Sequence, residues 1–174
     1  MHSTTLTMRE WFRRSLCLVF AALALSACDQ RAISELEEGV STEADVKEKF
    51  GPPEAVWDGP DGAQIYEYNR QPAGYQNYQI TIGADGKMAA LKQVLNPRTF
   101  AQILPGMPME DVRKLLGKPM KITTYDLKKE THYDWRWRDG PNESDSKVFT
   151  VVFNPDLRVL STMSVPDPDL DRAR

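Results

Sequence analysis

Few side chains in this sequence have the chemistry of a catalytic site. The 174-residue chain contains two cysteines, Cys17 and Cys28, and two histidines, His2 and His132. A histidine titrates near neutral pH, so His132 is the natural candidate for a general base. Such a base needs a nucleophile beside it, and cysteine is absent beyond residue 28. We therefore predict that His132, next to Tyr133 on a strand, is solvated or hydrogen-bonded rather than catalytic.

Two carboxylates, Glu67 and Asp134, lie on strands of similar pattern and could imitate an acid–base pair. Neither has a sequence context that would raise its pKa, which predicts that both lie on solvated faces. The segments 59–62 (GPDG) and 139–141 (DGP) are typical of turns and lack a phosphate-binding pattern. The sequence thus predicts no catalytic residue, no metal site and no cofactor, and we expect a protein that is not an enzyme.

Composition and net charge exclude further classes of function. Apolar residues make up 41% of the chain and charged residues 27%, which is typical of a globular protein. Twenty-two lysines and arginines against 25 acidic residues leave a net charge of −3. This balance provides no basic surface for nucleic acid, so we expect no nucleic-acid partner.

The amino-terminal segment indicates export. Arg9, Arg13 and Arg14 precede a short apolar run over 16–25, which is too short to span a bilayer as a helix. A basic start, a short apolar stretch and small residues after it are typical of a secretory signal peptide, here 1–27.

The segment that follows, Leu25-Ser26-Ala27-Cys28, resembles the lipobox of bacterial lipoproteins. That resemblance implies cleavage before Cys28 and acylation of this residue with palmitate or similar chains, which would anchor the protein to a membrane. Asp29 resembles a signal that retains some lipoproteins in the inner membrane, so inner and outer membranes both stay open.

The rest of the chain contains an internal duplication. Residues 39–53 (GVSTEADVKEKFGPP) correspond to residues 106–119 (GMPMEDVRKLLGKP), and 78–82 (YQITI) correspond to 149–153 (FTVVF). We predict a first unit over 28–95, a second over 96–165 and a flexible tail over 166–174. Each unit has two short helices followed by four strands, so the predicted fold class is α+β with antiparallel sheets. The predicted helices are 30–37, 98–104 and one after each of Thr42 and Pro108; the predicted strands are 54–58, 64–70, 75–83, 87–95, 120–126, 131–138, 147–154 and 157–165.

The repeated unit resembles the BamE (SmpA/OmlA) family of small lipoproteins of the β-barrel assembly machinery. The second copy carries the closest resemblance, through Gly106-Met107, Val112, 116–119 (LGKP) and 135–137 (WRW). The tandem arrangement is similar to that of the β-lactamase inhibitor protein. Both resemblances imply a protein-binding role, and the first implies envelope partners and favours the outer membrane.

Aromatic residues on the strands are the candidate partner-binding residues. Tyr66 and Tyr68 share one strand face, and Trp135 and Trp137 share another; Trp57 and Tyr75 lie near strand ends. These rings are core residues if their face meets the helices, and binding residues if it is open. Four basic residues in the second copy, Lys128, Lys129, Arg136 and Arg138, are interpreted as a solvated rim, with an acidic partner or phospholipid head groups as the alternative.

The leading hypothesis is a periplasm-facing, lipid-anchored accessory protein in outer-membrane protein assembly or envelope integrity. The alternative is an inhibitor or sequestering module for an envelope or secreted enzyme.

Overall fold

The computed structural model describes Asp29 and residues 31–169, apart from the side chain of Glu143. The chain divides into two units, Met1–Glu37 and Glu38–Arg174. In the first unit, residues 31–34 are helical, and Arg31 forms an ion pair with Glu35 at 3.1 Å. Among the described residues, no helix is long and apolar enough to cross a membrane.

The described part of the second unit is built from three helices and eight strands. Their order is α1 (Glu43–Phe50), β1 (Ala55–Asp58), β2 (Gln64–Asn69), β3 (Asn77–Ile82), β4 (Met88–Gln93), α2 (Pro97–Phe100), α3 (Met109–Leu116), β5 (Lys121–Tyr125), β6 (Glu130–Arg138), β7 (Ser146–Phe153) and β8 (Val159–Pro166). Short 3₁₀ turns occupy Pro60–Gly62 and Glu143–Asp145.

The strands form two four-stranded antiparallel sheets, β1-β2-β3-β4 and β5-β6-β7-β8. The register of the last strand pair shifts at equivalent places, between Thr81 and Ile82 in one sheet and between Val152 and Phe153 in the other. The segment before each main helix also bridges to the start of the last strand, Thr42 to Lys87 and Pro108 to Arg158. The predicted fold class is confirmed: the chain is α+β, with one helix-and-sheet pattern built twice.

Local sequence explains where the helices begin and end. Thr42 and Asp45 form a capping box at α1, and α3 begins after Pro108, so both main helices begin where they were predicted. α2 is shorter than the predicted helix over 98–104, because it ends at Phe100. Pro105 accounts only for the last residue of this difference, since a proline disfavours helical backbone in Leu104 before it.

Each sheet buries its aromatic face against its own helices. In the first repeat, the ring of Phe50 lies 5.2 Å from that of Tyr68 and 5.7 Å from that of Tyr78. In the second, Phe100 stacks on Phe149 at 3.9 Å. The second core also includes Val94, Leu95, Ile103, Val112, Leu116, Tyr133, Trp135, Trp137, Val151, Phe153 and Val159. Val94 and Leu95 follow β4, so the end of the first repeat helps to complete the core of the second.

Candidate protein-binding surfaces

Four of the six aromatic candidates are core residues. Tyr66, Tyr68, Trp135 and Trp137 are all buried, as the core alternative predicted. The indole nitrogen of Trp135 donates a hydrogen bond to the carbonyl of Gly117 at 3.1 Å, and burial raises the pKa of Tyr68 to about 12. These side chains support the sheets from inside and do not form an exposed aromatic ladder.

The two remaining candidates, Trp57 and Tyr75, are half-buried where the repeats meet. The ammonium group of Lys114 lies 5.9 Å from the ring centre of Trp57, and the guanidinium of Arg138 lies 4.0 Å from that of Tyr75. Both cations come from the second repeat, so each is a cation–π contact across the repeats. Trp57 and Tyr75 keep partial exposure and stay candidate binding residues.

Glu67 is buried beneath the second repeat, and the prediction of a solvated carboxylate is wrong for this residue. Its side chain is 2% exposed. It accepts hydrogen bonds from the indole of Trp57 at 3.1 Å and the amide of Asn69 at 2.6 Å. The guanidinium of Arg113, on α3, lies 3.8 Å away. The outer face of the first sheet is thus covered by the helix of the second repeat, and its polar groups are paired there.

Two asparagines complete this inter-repeat junction. The side-chain amide of Asn77 donates to the carbonyls of Leu116 at 2.8 Å and Lys118 at 3.2 Å, and the side-chain carbonyl of Asn69 accepts from the backbone N–H of Lys118 at 2.8 Å. These groups satisfy backbone atoms that the end of α3 leaves without helical partners. Gly117 lies between the two asparagines, with a φ of +75° and no room for a side chain. The repeats are therefore joined by specific hydrogen bonds.

Arg136 and Arg138 do not form the predicted solvated rim. The guanidinium of Arg136 forms ion pairs with Asp167 and Asp169, at 2.6 Å each. The side-chain amide of Gln71 forms hydrogen bonds with the backbone carbonyl and the backbone N–H of Arg136. Arg138 stacks on Tyr75, as described above. Lys128 and Lys129 are exposed, as predicted.

The same ion pairs hold the start of the tail in place. The Asp167 side chain is 3% exposed, so this residue of the predicted tail packs against the second sheet. Burial raises the pKa of the Asp167 carboxyl, but hydrogen bonds from the Asp169 backbone and the Ser146 hydroxyl, together with Arg136, outweigh it. The net effect lowers that pKa below its ordinary value.

The remaining catalytic candidates make structural contacts. An imidazole nitrogen of His132 lies 3.0 Å from Glu130, and its ring is 4.5 Å from that of Tyr125. Asp134 is half-buried and accepts a hydrogen bond from the Thr150 hydroxyl at 2.6 Å. His132 is hydrogen-bonded, one of the two states that the sequence predicted.

Exposed apolar side chains collect at the two edges of the second sheet, a surface that the aromatic pattern did not reveal. Ile122 and Tyr125 are exposed on β5, and Leu160, Met163 and Val165 are exposed on β8. The sequence does contain a signal for an exposed apolar edge at β8, because residues 159–165 carry no charge. Exposed apolar residues on an edge strand favour contact with another polypeptide.

The predicted signal peptide 1–27 and the predicted lipidation of Cys28 lie outside the described residues. Asp29, the predicted sorting residue, is described, and its side chain is buried.

A family model matches the second repeat. Residues 93–163 match the family model of the outer membrane protein assembly factor BamE domain. The second repeat is similar to this family. The match begins at the end of β4, just before Val94 and Leu95, which contribute to the core of the second repeat. The family points to a role in outer-membrane protein assembly.

Two solved structures show weak similarity to the chain. One is a Streptococcus mutans protein provisionally named a β-lactamase inhibitor protein, with 10% identity and a TM-score of 0.34 over 80% of this chain and 96% of that one. The other is a DUF4309 family protein (YjgB) from Bacillus subtilis, with 19% identity and a TM-score of 0.28 over 76% of this chain and 82% of that one. No curated protein matches the chain.

Proposed function

We propose that this chain is a lipid-anchored, periplasm-facing envelope protein that binds other envelope proteins as a non-enzymatic accessory in outer-membrane protein assembly or integrity. The observation that carries the proposal is the match of residues 93–163 to the BamE domain family. The sequence Leu25-Ser26-Ala27-Cys28 supports the anchor, with Cys28 as the acylated residue. Each buried methylene of an acyl chain contributes about 0.8 kcal/mol, so two or more chains give stable attachment.

The junction between the repeats supports a mechanical role. Glu67 and Arg113, together with the asparagine bonds to Leu116 and Lys118, connect the first sheet to α3 of the second repeat. Two sheets connected in this way present their exposed side chains in a fixed arrangement. A preformed surface loses less conformational entropy on binding than a flexible one.

Trp57 and Tyr75 are the proposed partner contacts among the aromatic candidates, because both keep partial exposure beside a cation. Tryptophan and tyrosine are enriched among the residues that dominate binding energy at interfaces. The proposed partners are envelope proteins, including subunits of the β-barrel assembly machinery. The match to an outer-membrane assembly family favours the outer membrane as the site of the anchor. Asp29 is the residue that would direct the protein to the inner membrane instead.

Affinity capture from crosslinked membranes tests this proposal. The tagged full chain is expressed in a bacterium with an outer membrane, crosslinked in the cell and purified, and the captured proteins are identified by mass spectrometry. We expect subunits of the outer-membrane assembly machinery in the wild-type capture. Recovery of no outer-membrane assembly protein contradicts the proposal.

A matched pair of variants locates the contact. Trp57→Ala and Tyr75→Ala together are expected to weaken the capture, whereas Leu104→Ala, at an exposed position away from the junction, is expected to leave it unchanged. Circular dichroism spectra of the variants confirm that they are folded. Equal capture by the double variant and the wild type removes Trp57 and Tyr75 from the proposed surface.

A further inference from the structure

Strand β8 is an edge strand, and the backbone N–H and C=O groups on its outer side have no hydrogen-bond partner over a defined length of the described chain. At its start, the N–H of Val159 donates to the carbonyl of Met107 at 3.0 Å, so this point of the edge is occupied. Past its end, the N–H of Asp167 donates inward to Ser146 at 3.0 Å, and Pro166 has no N–H. The free edge therefore comprises residues 160–165 and the carbonyl of Pro166.

Alternation along the strand then fixes which groups point outward. Since the Asp167 N–H points toward β7, the backbone groups of Thr162 and Ser164 point away from the sheet. In the part of the chain that the structure describes, no backbone or side-chain group pairs with them on that side. An exposed edge of this kind is a template for another strand.

The equivalent strand of the first repeat is protected where β8 is not. On β4, the carboxylate of Glu38 accepts a hydrogen bond from the outward N–H of Leu91 at 3.1 Å, and Lys92 places an exposed charge on the edge. Lysines and capped backbone groups are the usual ways in which proteins block edge pairing. The register makes Met163 the counterpart of Lys92, and Pro105 corresponds to Glu38. The second repeat has therefore lost both protections.

We propose that β8 pairs with β8 of a second copy of this chain, antiparallel and symmetric about Met163, to give a continuous eight-stranded sheet. The symmetry follows from the bounds of the free edge, because residues 160–166 are centred on residue 163. Thr162 then pairs with Ser164 of the partner subunit and Ser164 with Thr162 of the partner subunit, which uses the outward N–H groups of both residues. Such a two-fold contact closes on itself and needs no other partner.

Charge and side-chain pattern fit a second copy. Residues 159–166 carry no charge, so symmetric pairing brings no like charges together within the strands. Exposed Arg158 precedes the strand, and Asp169, which is exposed and also paired with Arg136, follows it, so antiparallel pairing brings opposite charges toward each other at both ends. Met163, which is 44% exposed, would be covered by Met163 of the partner subunit on the outer face of the joined sheet.

The oligomeric state of the full chain in detergent tests the proposal. Light scattering coupled to size-exclusion chromatography is expected to show a mass of two chains, and Met163→Lys is expected to reduce it to one, because two lysines would face each other across the dyad. Ile122→Lys is the matched control on the other edge of the same sheet, at 54% exposure, and should leave the dimer intact. A wild-type monomer at every concentration, a dimeric Met163→Lys, or equal dissociation by Ile122→Lys overturns the proposal. Circular dichroism shows that each variant is folded.

Disulfide crosslinking tests the register. With the wild-type chain as the control for Cys17 and Cys28, Met163→Cys places two thiols on opposing residues about 4.5 Å apart between Cα atoms, within disulfide range. Val165→Cys places them four residues apart along the strands, roughly 13 Å, which is out of range. We expect a crosslinked dimer from Met163→Cys alone. Faster crosslinking by Val165→Cys, or none by Met163→Cys, overturns the symmetric pairing.

Discussion

Replacing Gly117 by alanine tests how the two repeats are held together. Gly117 follows α3 with φ +75° and ψ −166°, and Gly51 follows α1 with φ +81° and ψ −170°. Only glycine adopts this backbone region readily, and another residue there costs about 1–3 kcal/mol. Gly51 has no atom within 4 Å of an added Cβ, so Gly51→Ala measures the backbone cost alone.

Gly117→Ala carries a second cost, because its Cβ would overlap the side-chain carbonyl oxygen of Asn69 and lie 3.0 Å from the amide nitrogen of Asn77. These two amides make three hydrogen bonds to the end of α3, to Leu116 and Lys118. At about 0.5–1.5 kcal/mol for each hydrogen bond, their disruption adds roughly 2–4 kcal/mol. We therefore expect the free energy of unfolding to fall by about 1–3 kcal/mol in Gly51→Ala and by about 3–7 kcal/mol in Gly117→Ala.

Urea unfolding followed by tryptophan fluorescence measures both losses. The difference between the two variants isolates the junction, since the backbone cost is common to them. Equal losses, or a larger loss in Gly51→Ala, would refute the conclusion that the asparagine contacts hold the repeats together.

Three further predictions concern the core and the tail. Trp135→Ala is expected to lower the free energy of unfolding by about 3–5 kcal/mol, because it empties a buried site; a loss below about 1 kcal/mol in urea unfolding contradicts its core role. Asp167→Asn is expected to destabilise the protein by about 1–3 kcal/mol at neutral pH, because Arg136 loses a charged partner. The folded-state pKa of Asp167 is lowered, so its contribution is present above the ordinary aspartate pKa and disappears as the pH falls through the folded value. Melting temperatures of wild type and Asp167→Asn should therefore converge in acid, and a constant difference opposes this account. The pKa of Tyr68 is raised to about 12. The free energy that the neutral Tyr68 side chain contributes to folding is therefore fully present below about pH 10 and is lost as the pH rises through about 12. Phenolate absorbance should show a late-titrating tyrosine that Tyr68→Phe removes, and an unchanged titration curve argues against its burial.

Secondary structure could be predicted closely from the sequence, because each strand alternates and each main helix has its own start and stop signals. Tyr78, Ile80 and Ile82 alternate along the predicted strand over 75–83 and are all buried, and the helix predicted after Thr42 begins with a capping box of Thr42 and Asp45. The duplication was visible for the same reason, since equivalent residues perform the same local role in both copies.

Contacts between the repeats could not be predicted in this way. Alternation places Glu67 on the face opposite Tyr66, and that face is normally solvated when only one layer of helices is expected. Its burial depends on Arg113 and the end of α3, which are distant in sequence. Likewise, the residues at the start of the tail look mobile by composition, but Asp167 meets Arg136 on a neighbouring strand. Such pairings become visible only when the sheets are assembled.

The central claim is that this protein works at an envelope membrane, held there by acyl chains on Cys28. Labelling with radioactive palmitate, followed by separation of inner and outer membranes on a sucrose gradient, measures both points together. We expect the wild-type chain to carry the label and to sediment with the outer membrane, and Cys28→Ala to carry none. An unlabelled, uncleaved chain recovered in the cytosolic fraction would contradict the claim.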